Sequence, residues 1–481
     1  MRSQPVNLAA IRPDGDYVLY WMIANRRTRF NFSLDRAIDW ARQLGKPLLI
    51  FEPLRCDYRW ASDRFHLFVA EGMAENARQL AGGPIHYFPY LEEKVGAGKG
   101  LLKALAADAC VVVTDQFPCF FLPRMVAAAG NQLEVSLEAV DSNGLLPLAA
   151  SPLVWPTAFS FRAYLHKNLK EHLETLPRAR PLSRLDLPQL KALPEKIARR
   201  WKPAHPDELT QDPKQLTRFP IDHEVGPAIF RGGSAHAQHA LKRFLDRRLQ
   251  RYPEDRSEPS VDGTSQLSPY LHWGHLSAHQ IFAELTEREG WTTDRLSEKG
   301  RGKKEGFWGM SSPAEAFLDE LVTWRDLAFH FCAKREDYDQ PEAIPGWAQK
   351  TLQKHRGDKR PHLYSVQEFE EARTDDPLWN AIQRQLTQDG WFHNAMRMLW
   401  GKKILHWSKT PEQAFRTMEA LMGKYSLDGR NPNSYAGYLW VLGQFDRAWG
   451  PEREVFGTVR YMSSDNARRK VDLKPYLEKY G

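Results

Sequence analysis

The feature that most constrains this chain is a change of rhythm along its length. Up to about residue 150, short apolar runs alternate with helical stretches; from about Gly226 onward the apolar spacing is helical throughout. The strand candidates of the first part are Val18–Met22, Leu48–Phe51, Ile85–Phe88, Val111–Val113 and Val135–Leu137, with helical patterns such as Ser33–Leu44 and Phe65–Leu80 between them. Apolar strands joined by crossover helices imply a parallel sheet covered on both faces, a doubly wound α/β domain. No G-x-G-x-x-G follows the first strand, so a standard dinucleotide site is not expected there. Between the two rhythms lies a stretch rich in proline and charge, with Pro177, Pro181, Pro188, Pro194, Pro203, Pro206 and Pro213. Three regions follow: an α/β domain over 1–165, a linker over 166–225 and an all-α domain over 226–481. A chain of 481 residues, 42% of them hydrophobic, is long enough for two such cores.

Composition narrows the function. The formal charge of +7 and pI near 9.0 suit a polyanionic partner or an ordinary basic enzyme about equally. Sixteen tryptophans are the larger oddity, many of them beside Arg or Asn in the C-terminal half. Tryptophan usually fills cores; near polar residues it also suits base stacking, flavin contact or electron transfer. The four cysteines form no C-x-x-C pair, so neither a disulfide framework nor a metal centre is expected. No apolar run reaches the roughly 20 residues of a membrane span. Met1–Arg12 lacks the order of a secretory signal, and a cytoplasmic location is expected.

Four segments of the helical part carry chemistry. Thr264-Ser265-Gln266-Leu267-Ser268-Pro269-Tyr270-Leu271 packs hydroxyls and backbone N–H groups densely enough to hold a phosphate at a helix start. A capped loop is the plainer reading of those residues alone. In a helix over Trp391–Trp407, Asn394, Arg397 and Gly401 share a face. Trp400 and Trp407 lie two turns apart, about 10.5 Å along the axis, as electron relay or as core. Asp428–Asn433 reads as a polar turn, and its aspartate can pair with an arginine such as Arg397. Asp446-Arg447-Ala448-Trp449 and Phe456–Ser463 put arginine beside aromatic rings, a pattern for phosphate binding with base stacking. Ser312-Pro313-Ala314-Glu315 predicts a helix capped by Ser312, running Phe317, Leu321, Trp324, Ala328, Phe331 along one face.

Taken in order, these segments resemble class II cyclobutane pyrimidine dimer photolyases of the photolyase/cryptochrome family. Further matching stretches are Gly232-Gly233, Glu320-Leu321-Val322-Thr323-Trp324, Asp375–Asn380, Met396–Leu405, Asp428-Gly429-Arg430 and Phe456–Met462; Tyr20–Met22 with Asn25-Arg26-Arg27 looks like the family's opening strand and turn. The resemblance implies that the helical domain binds FAD, with Tyr252, Thr264, Ser265, Gln266, Leu267 and Ser268 at its phosphates and ribityl chain. Asn394, Arg397, Asp428 and Asn433 would surround the flavin ring. Glu320, Trp324, Met398, Trp440, Arg447 and Arg460 would face the dimer or its flanking backbone. The implied reaction is light-driven repair of UV-damaged DNA, by electron transfer from excited reduced FAD to a flipped-out dimer. Glu320 would hydrogen-bond the dimer carbonyls. Trp400 and Trp379 would carry electrons to the flavin, with Trp407 a poorer third member. No metal is implied, and a monomer is expected.

Two positions depart from the family pattern. Met422 stands where an asparagine tends to reach the flavin N5, and a thioether cannot donate that hydrogen bond. The run Asp141–Tyr164 diverges where an antenna pigment, of deazaflavin or folate type, would sit. A cryptochrome-like photoreceptor is the first rival; Gly481 soon after the last motif leaves no signalling tail and favours repair. A dark nucleic-acid-binding module that has lost flavin is the second, and Asn394, Arg397 and Asp428 argue against it; repair of the (6-4) photoproduct is the third, and it calls for histidines in the pocket, where His272, His275 and His393 lie near the motifs without an assigned part.

Overall fold

The computed structural model describes residues 1–481 and divides them into two compact units. The first comprises Met1–Ser151, Glu171–Leu241 and Leu267–Glu287; the second comprises Pro152–Lys170, Lys242–Gln266 and Arg288–Gly481. No helix is long and apolar enough to cross a membrane.

The first unit is built on a six-stranded sheet: β1 (Ser3–Pro5), β2 (Tyr17–Trp21), β3 (Leu48–Leu54), β4 (His86–Leu91), β5 (Ala109–Asp115) and β6 (Leu137–Val140), in the order β1-β6-β5-β2-β3-β4. All neighbours are parallel except β1, which runs antiparallel to β6 at the edge. Alternation explains why the strands read as unbroken apolar runs. Tyr17, Leu19, Trp21, Leu49, Phe51 and Val112 enter one core, while Val18, Tyr20, Leu48, Ile50, Val111 and Val113 enter the other. Each strand candidate shifts at one or both ends, and one strand had no candidate. The last strand starts at Leu137 rather than Val135, and β1 had no pattern to betray it, being three residues long.

The proline-rich stretch is folded onto this unit. Short helices at Glu195–Arg200 and Pro206–Gln211 and a 3₁₀ turn at Pro213–Arg218 bury Ile197, Leu209 and Leu216. Trp201 donates its indole N–H to Ala97 O at 2.9 Å. The opening turn after β2 is held by Asp115 at the end of β5. Its carboxylate accepts the backbone N–H groups of Ile23, Ala24 and Asn25 at 2.8–2.9 Å and the Tyr20 hydroxyl at 2.8 Å. Beside it, Arg26 pairs with the fully buried Glu52 at 3.0 Å.

The second unit is helical. Its main helices are Ala158–Asn168, Ser312–Leu318, Arg325–Lys334, Pro377–Asp389, Asn394–Trp407, Pro411–Tyr425 and Pro432–Val441. Proline near the first helical position recurs at Pro313, Pro377, Pro411 and Pro432, where its missing N–H has no intrahelical partner to lose. Ser312 does not cap its helix. It is the first helical residue, Ser311 precedes it without a side-chain cap bond, and Glu315 turns away from the helix to accept Met310 N–H at 3.2 Å. The single apolar face expected from Phe317 to Phe331 is also interrupted. Asp319–Trp324 is π-helical, so the wider turn shifts the register between the two α-helical halves.

Candidate functional site

The π-helical turn carries the residues that the sequence places against substrate. Asp319 anchors it through a bidentate bond with Arg162 of Ala158–Asn168, at 2.7 and 2.9 Å. Next in the turn, Glu320 is half-buried, a third of its side chain remaining exposed, and it pairs with Arg256. Burial pushes the Glu320 carboxyl above its ordinary value, against the opposing charges of Arg256 and Lys304. Arg256 was not among the sequence candidates, although it follows Tyr252 by one helical turn. Tyr252 is buried edge-on against Phe244 and Phe317, at 5.6 and 5.5 Å between ring centroids. Burial holds its hydroxyl firmly protonated.

Trp324 closes the turn and stacks on Trp440, with centroids 4.8 Å apart and planes 13° from parallel. Both residues are half-buried. The Trp440 indole nitrogen is shielded from solvent and has no hydrogen-bond partner. Gly401 lets the two helices behind this ring approach: a Cβ there would meet Val441 Cγ2 at 2.5 Å and Met418 Sδ at 2.9 Å. Met398 is half-buried on the same helix as Gly401.

The helix Asn394–Trp407 starts at His393, whose ring caps it by accepting Ala395 N–H at 3.2 Å. Burial lowers the His393 pKa to about 4, with help from Arg397. Arg397 reaches both carboxylate oxygens of Asp428, at 2.8 and 3.1 Å, as the polar-turn reading anticipates; Ser426 Oγ donates to the same carboxylate at 2.6 Å. Arg397 Nε is buried and has no partner. Asn394 and Asn433 are exposed, so the face expected to hold Asn394, Arg397 and Gly401 together runs from solvent to the packed helix behind it. Met422 is buried, and Gly429 lies so close to its carbonyl oxygen that a Cβ would sit 1.9 Å away.

The phosphate-loop candidate is shaped by two arginines that sequence reading missed. Arg248 donates to Thr264 O at 3.1 Å and pairs with Asp262, while Arg243 reaches Gln266 Oε1 at 3.2 Å. Gln266 adopts a left-handed conformation at φ 55°. Thr264, Ser265 and Gln266 are half-buried residues of the second unit, whereas Leu267 and Ser268 belong to the first. The expected helix start is modest: Ser268–His272 is five residues long and Leu267 makes no side-chain cap bond. Its dipole is correspondingly weak, and hydroxyls and backbone N–H groups are what the loop offers.

The tryptophan path differs from its sequence version. Trp400 stacks on Trp379 at 6.4 Å with planes 6° apart, and Trp379 meets Trp407 edge-on at 6.0 Å. Trp379 is thus interposed between the two rings of the helix Asn394–Trp407, and Trp407, ranked last from sequence, touches Trp379 directly. The inner N–H groups are tied: Trp379 Nε1 donates to Trp400 O at 3.0 Å and Trp400 Nε1 to Gln383 Oε1 at 2.9 Å.

The two arginines assigned to DNA meet at one ring. Arg447 lies over Trp449 at 4.8 Å and Arg460 over it at 4.5 Å. Asp446 organises the group, pairing with Arg460 at 3.0 Å and accepting Trp449 Nε1 at 3.1 Å. Trp449 is 37% exposed; the sequence pattern names it as the aromatic neighbour of Arg447, while the approach of Arg460 from 11 residues further on is what the structure adds.

Comparison with known proteins connects these features. Residues 317–460 match the family described as the FAD binding domain of DNA photolyase. The chain is 34% identical to a deoxyribodipyrimidine photo-lyase of Methanothermobacter thermautotrophicus over 98% of this chain and 97% of the relative. It is 31% identical to one of Oryza sativa subsp. japonica over 96% of this chain and 87% of the relative. Among solved structures, a bacterial class III photolyase from Agrobacterium tumefaciens superposes with TM-score 0.67 at 18% identity, covering 97% of this chain and 86% of its own. A cryptochrome from Synechocystis gives the same TM-score at 16% identity, covering 97% and 88%, so the fold alone is common to repair enzymes and cryptochromes. The near full-length sequence relatives, at 34% and 31% identity, are photo-lyases, and with them the chain belongs to the photolyase/cryptochrome family, as an FAD-binding carbon–carbon lyase of light-driven DNA repair.

Proposed function

We propose that the chain repairs cyclobutane pyrimidine dimers and belongs to class II of its family. The observation that carries this reading is the π-helical turn, which brings a carboxyl of raised pKa, Glu320, next to an indole pair, Trp324 and Trp440, in one half-buried place. Two stacked indoles offer an apolar platform to two joined pyrimidines, which stack poorly in the duplex and cost little to extrude. A protonated Glu320 can donate to a dimer carbonyl as negative charge develops there. Arg256, bonded to Glu320, keeps that carboxyl in place and supplies a second donor, a cationic one.

The residues present suit FAD. Arg397 is fixed by Asp428 and keeps one buried N–H without a partner, as expected beside a polar planar ring. Thr264, Ser265 and Ser268 provide hydroxyls for phosphates, and Tyr252 an apolar wall. The chemistry that FAD supplies when bound is a light-driven one-electron reduction of the dimer, reversed after the cyclobutane bonds open. Trp400, Trp379 and Trp407 serve refilling from outside. Met422 gives the flavin N5 no amide, so the redox behaviour of the bound flavin departs from that of relatives with asparagine there. Against (6-4) repair stands His393: buried, with a pKa of about 4, and engaged as a helix cap, it is not a proton donor near neutrality.

The test is spectroscopic and enzymatic together. Purified protein should show flavin absorption, with any antenna band beside it, and blue light with a reductant should remove cyclobutane dimers from DNA while leaving (6-4) products. Flavin without dimer loss would move the chain to the photoreceptors. Loss of (6-4) products instead would overturn the substrate assignment.

A further inference from the structure

We infer that the loop Ser297–Phe307 of the helical unit is a DNA-backbone arm that holds phosphates flanking the dimer. The inference rests on the reading of Glu320 as the residue that faces the dimer. It starts from charge. The loop carries Lys299, Arg301, Lys303 and Lys304 against Glu298 and Glu305. Arg301 is paired with Glu298 at 3.0 Å, but none of the three lysines lies within ion-pair distance of a carboxylate, and all three are exposed. Surface lysines by themselves are unremarkable; what sets these apart is where and how they are held.

The base of the loop is fixed with unusual care for a surface segment. Ser297 N–H donates to Phe307 O at 2.8 Å and closes the ends. Phe307 stacks on His166 at 3.6 Å with planes 5° apart, and the same imidazole accepts Gly302 N–H through Nδ1 at 3.0 Å. Burial lowers the His166 pKa to about 4, so the ring is neutral and free to act as that acceptor. Glu315 accepts the N–H groups of Gly306 and Met310. Gly300 sits against the Gly306 backbone, where a Cβ would come within 2.0 Å of the carbonyl oxygen, and Gly302 and Gly306 take the left-handed conformations at φ 80° and 83° that the turns require. A loop pinned at its base with free ammonium groups at its tip is preorganised for an anionic partner, since little ordering remains to be done on binding.

Position names the partner. The loop docks on His166, one helical turn beyond the Arg162 that holds Asp319, the neighbour of Glu320, and the charge of Lys304 opposes the effect of burial on the Glu320 carboxyl. Glu320 shares the π-helical turn with Trp324 and its wall with Arg256. A dimer drawn against Glu320 brings its own phosphates to the rim of that place, and the exposed lysines at the rim meet them. Lysine, a mobile point charge, suits backbone binding without base reading. The arm therefore contributes affinity that depends on salt and is indifferent to sequence.

The experiment measures the dissociation constant of the FAD-loaded enzyme for a dimer-containing duplex across a salt series. Lys303→Ala/Lys304→Ala should lower the slope of log K against log salt by roughly 0.9 for each phosphate that is no longer neutralised, with flavin content unchanged. Lys303→Arg/Lys304→Arg should restore the slope. An unchanged slope in the alanine variant overturns the inference. A footprint on the unaltered protein guards against a folding defect: an amine-reactive reagent should modify Lys303 and Lys304 less when dimer duplex is bound, and equal modification also overturns it. Failure of the functional reading looks different, for the wild-type protein would then bind dimer and undamaged duplex alike.

Discussion

Trp379 and Trp400 stack with planes 6° apart, and Trp324 and Trp440 stack with planes 13° apart. By ring geometry the two pairs are alike, yet their surroundings differ in two respects. Trp379 and Trp400 are 0% and 2% exposed, and both indole N–H groups donate to protein acceptors. Trp324 and Trp440 are half-buried, and the Trp440 N–H is shielded without a partner. A buried donor left unpaired costs about 1–3 kcal/mol, a cost that a folded chain tolerates where a ligand relieves it. The first pair has its polar groups satisfied within the protein; the second does not. Hydrogen bonding and exposure, rather than stacking, therefore separate the two pairs, in keeping with the relay and platform proposed for them.

The largest effect that tests this division is Trp400→Phe. Phenylalanine preserves most of the packing but is far harder to oxidise than an indole, so photoreduction of the flavin should lose most of its rate. Repair by chemically reduced enzyme should hold, because the substitution lies in the Trp379–Trp400 pair. Removing the indole N–H also strands Gln383 Oε1, at a stability cost of about 1–3 kcal/mol. Unchanged photoreduction would show that electrons enter by another way and that the pair is core. The mirror experiment is Trp440→Ala. Stacking on an aromatic side chain is worth about 1–3 kcal/mol per base, so affinity for dimer DNA should fall by roughly five- to 150-fold while photoreduction keeps its rate. Equal damage to both activities in either variant would dissolve the distinction.

The pH dependence sharpens it further. The Glu320 carboxyl is raised by burial despite Arg256 and Lys304, so its protonated, donating form persists to higher pH than that of an ordinary glutamic acid. As pH rises through the shifted value the carboxyl loses the proton that it would donate to the dimer. Repair yield per photon should then decline, while photoreduction through Trp400 and Trp379 does not follow the same curve. Glu320→Gln retains an N–H donor with no titration and should flatten the profile. Glu320→Ala should lower the yield throughout without releasing FAD. A flat wild-type profile would mean that Glu320 acts as an acceptor.

How far the sequence reached follows from the length scale of each feature. The sheet was readable because strands buried on both faces, such as Leu48–Leu54, are uniformly apolar, and the Arg397–Asp428 pair because each partner sits in a distinctive segment. What escaped depends on packing between distant stretches or on backbone detail. Arg256 acquires meaning only beside Glu320, 64 residues away. Trp379 enters between Trp400 and Trp407 from another helix, which no spacing within Asn394–Trp407 can show. The π-helical turn at Asp319–Trp324 adds a residue to one turn, and an apolar pattern read at α-helical period passes over it. β1 was too short to leave a pattern at all.

Trp449 belongs to neither pair and supplies the smallest expected effect. It is partly exposed and carries Arg447 and Arg460 over its ring. The two arginines are not equivalent. The Arg460 side chain is also bonded to Asp446, whereas the Arg447 side chain is exposed and contributes only its position over the ring, its backbone N–H alone reaching Asp446. A cation over an exposed indole is worth about 0.5–1 kcal/mol, so Arg447→Ala should leave folding nearly unchanged. Its charge, if it meets a phosphate, should show instead as a drop of roughly one in the salt slope of DNA binding, equal for dimer and undamaged duplex. Arg460→Ala would leave the Asp446 carboxylate without its cationic partner, with only the Trp449 Nε1–H and Arg447 backbone N–H donors, and its effect should therefore include a loss of stability that Arg447→Ala lacks. If the two variants behave alike, Asp446 is not the organiser of this cluster, and Trp449 stands on the surface by packing alone.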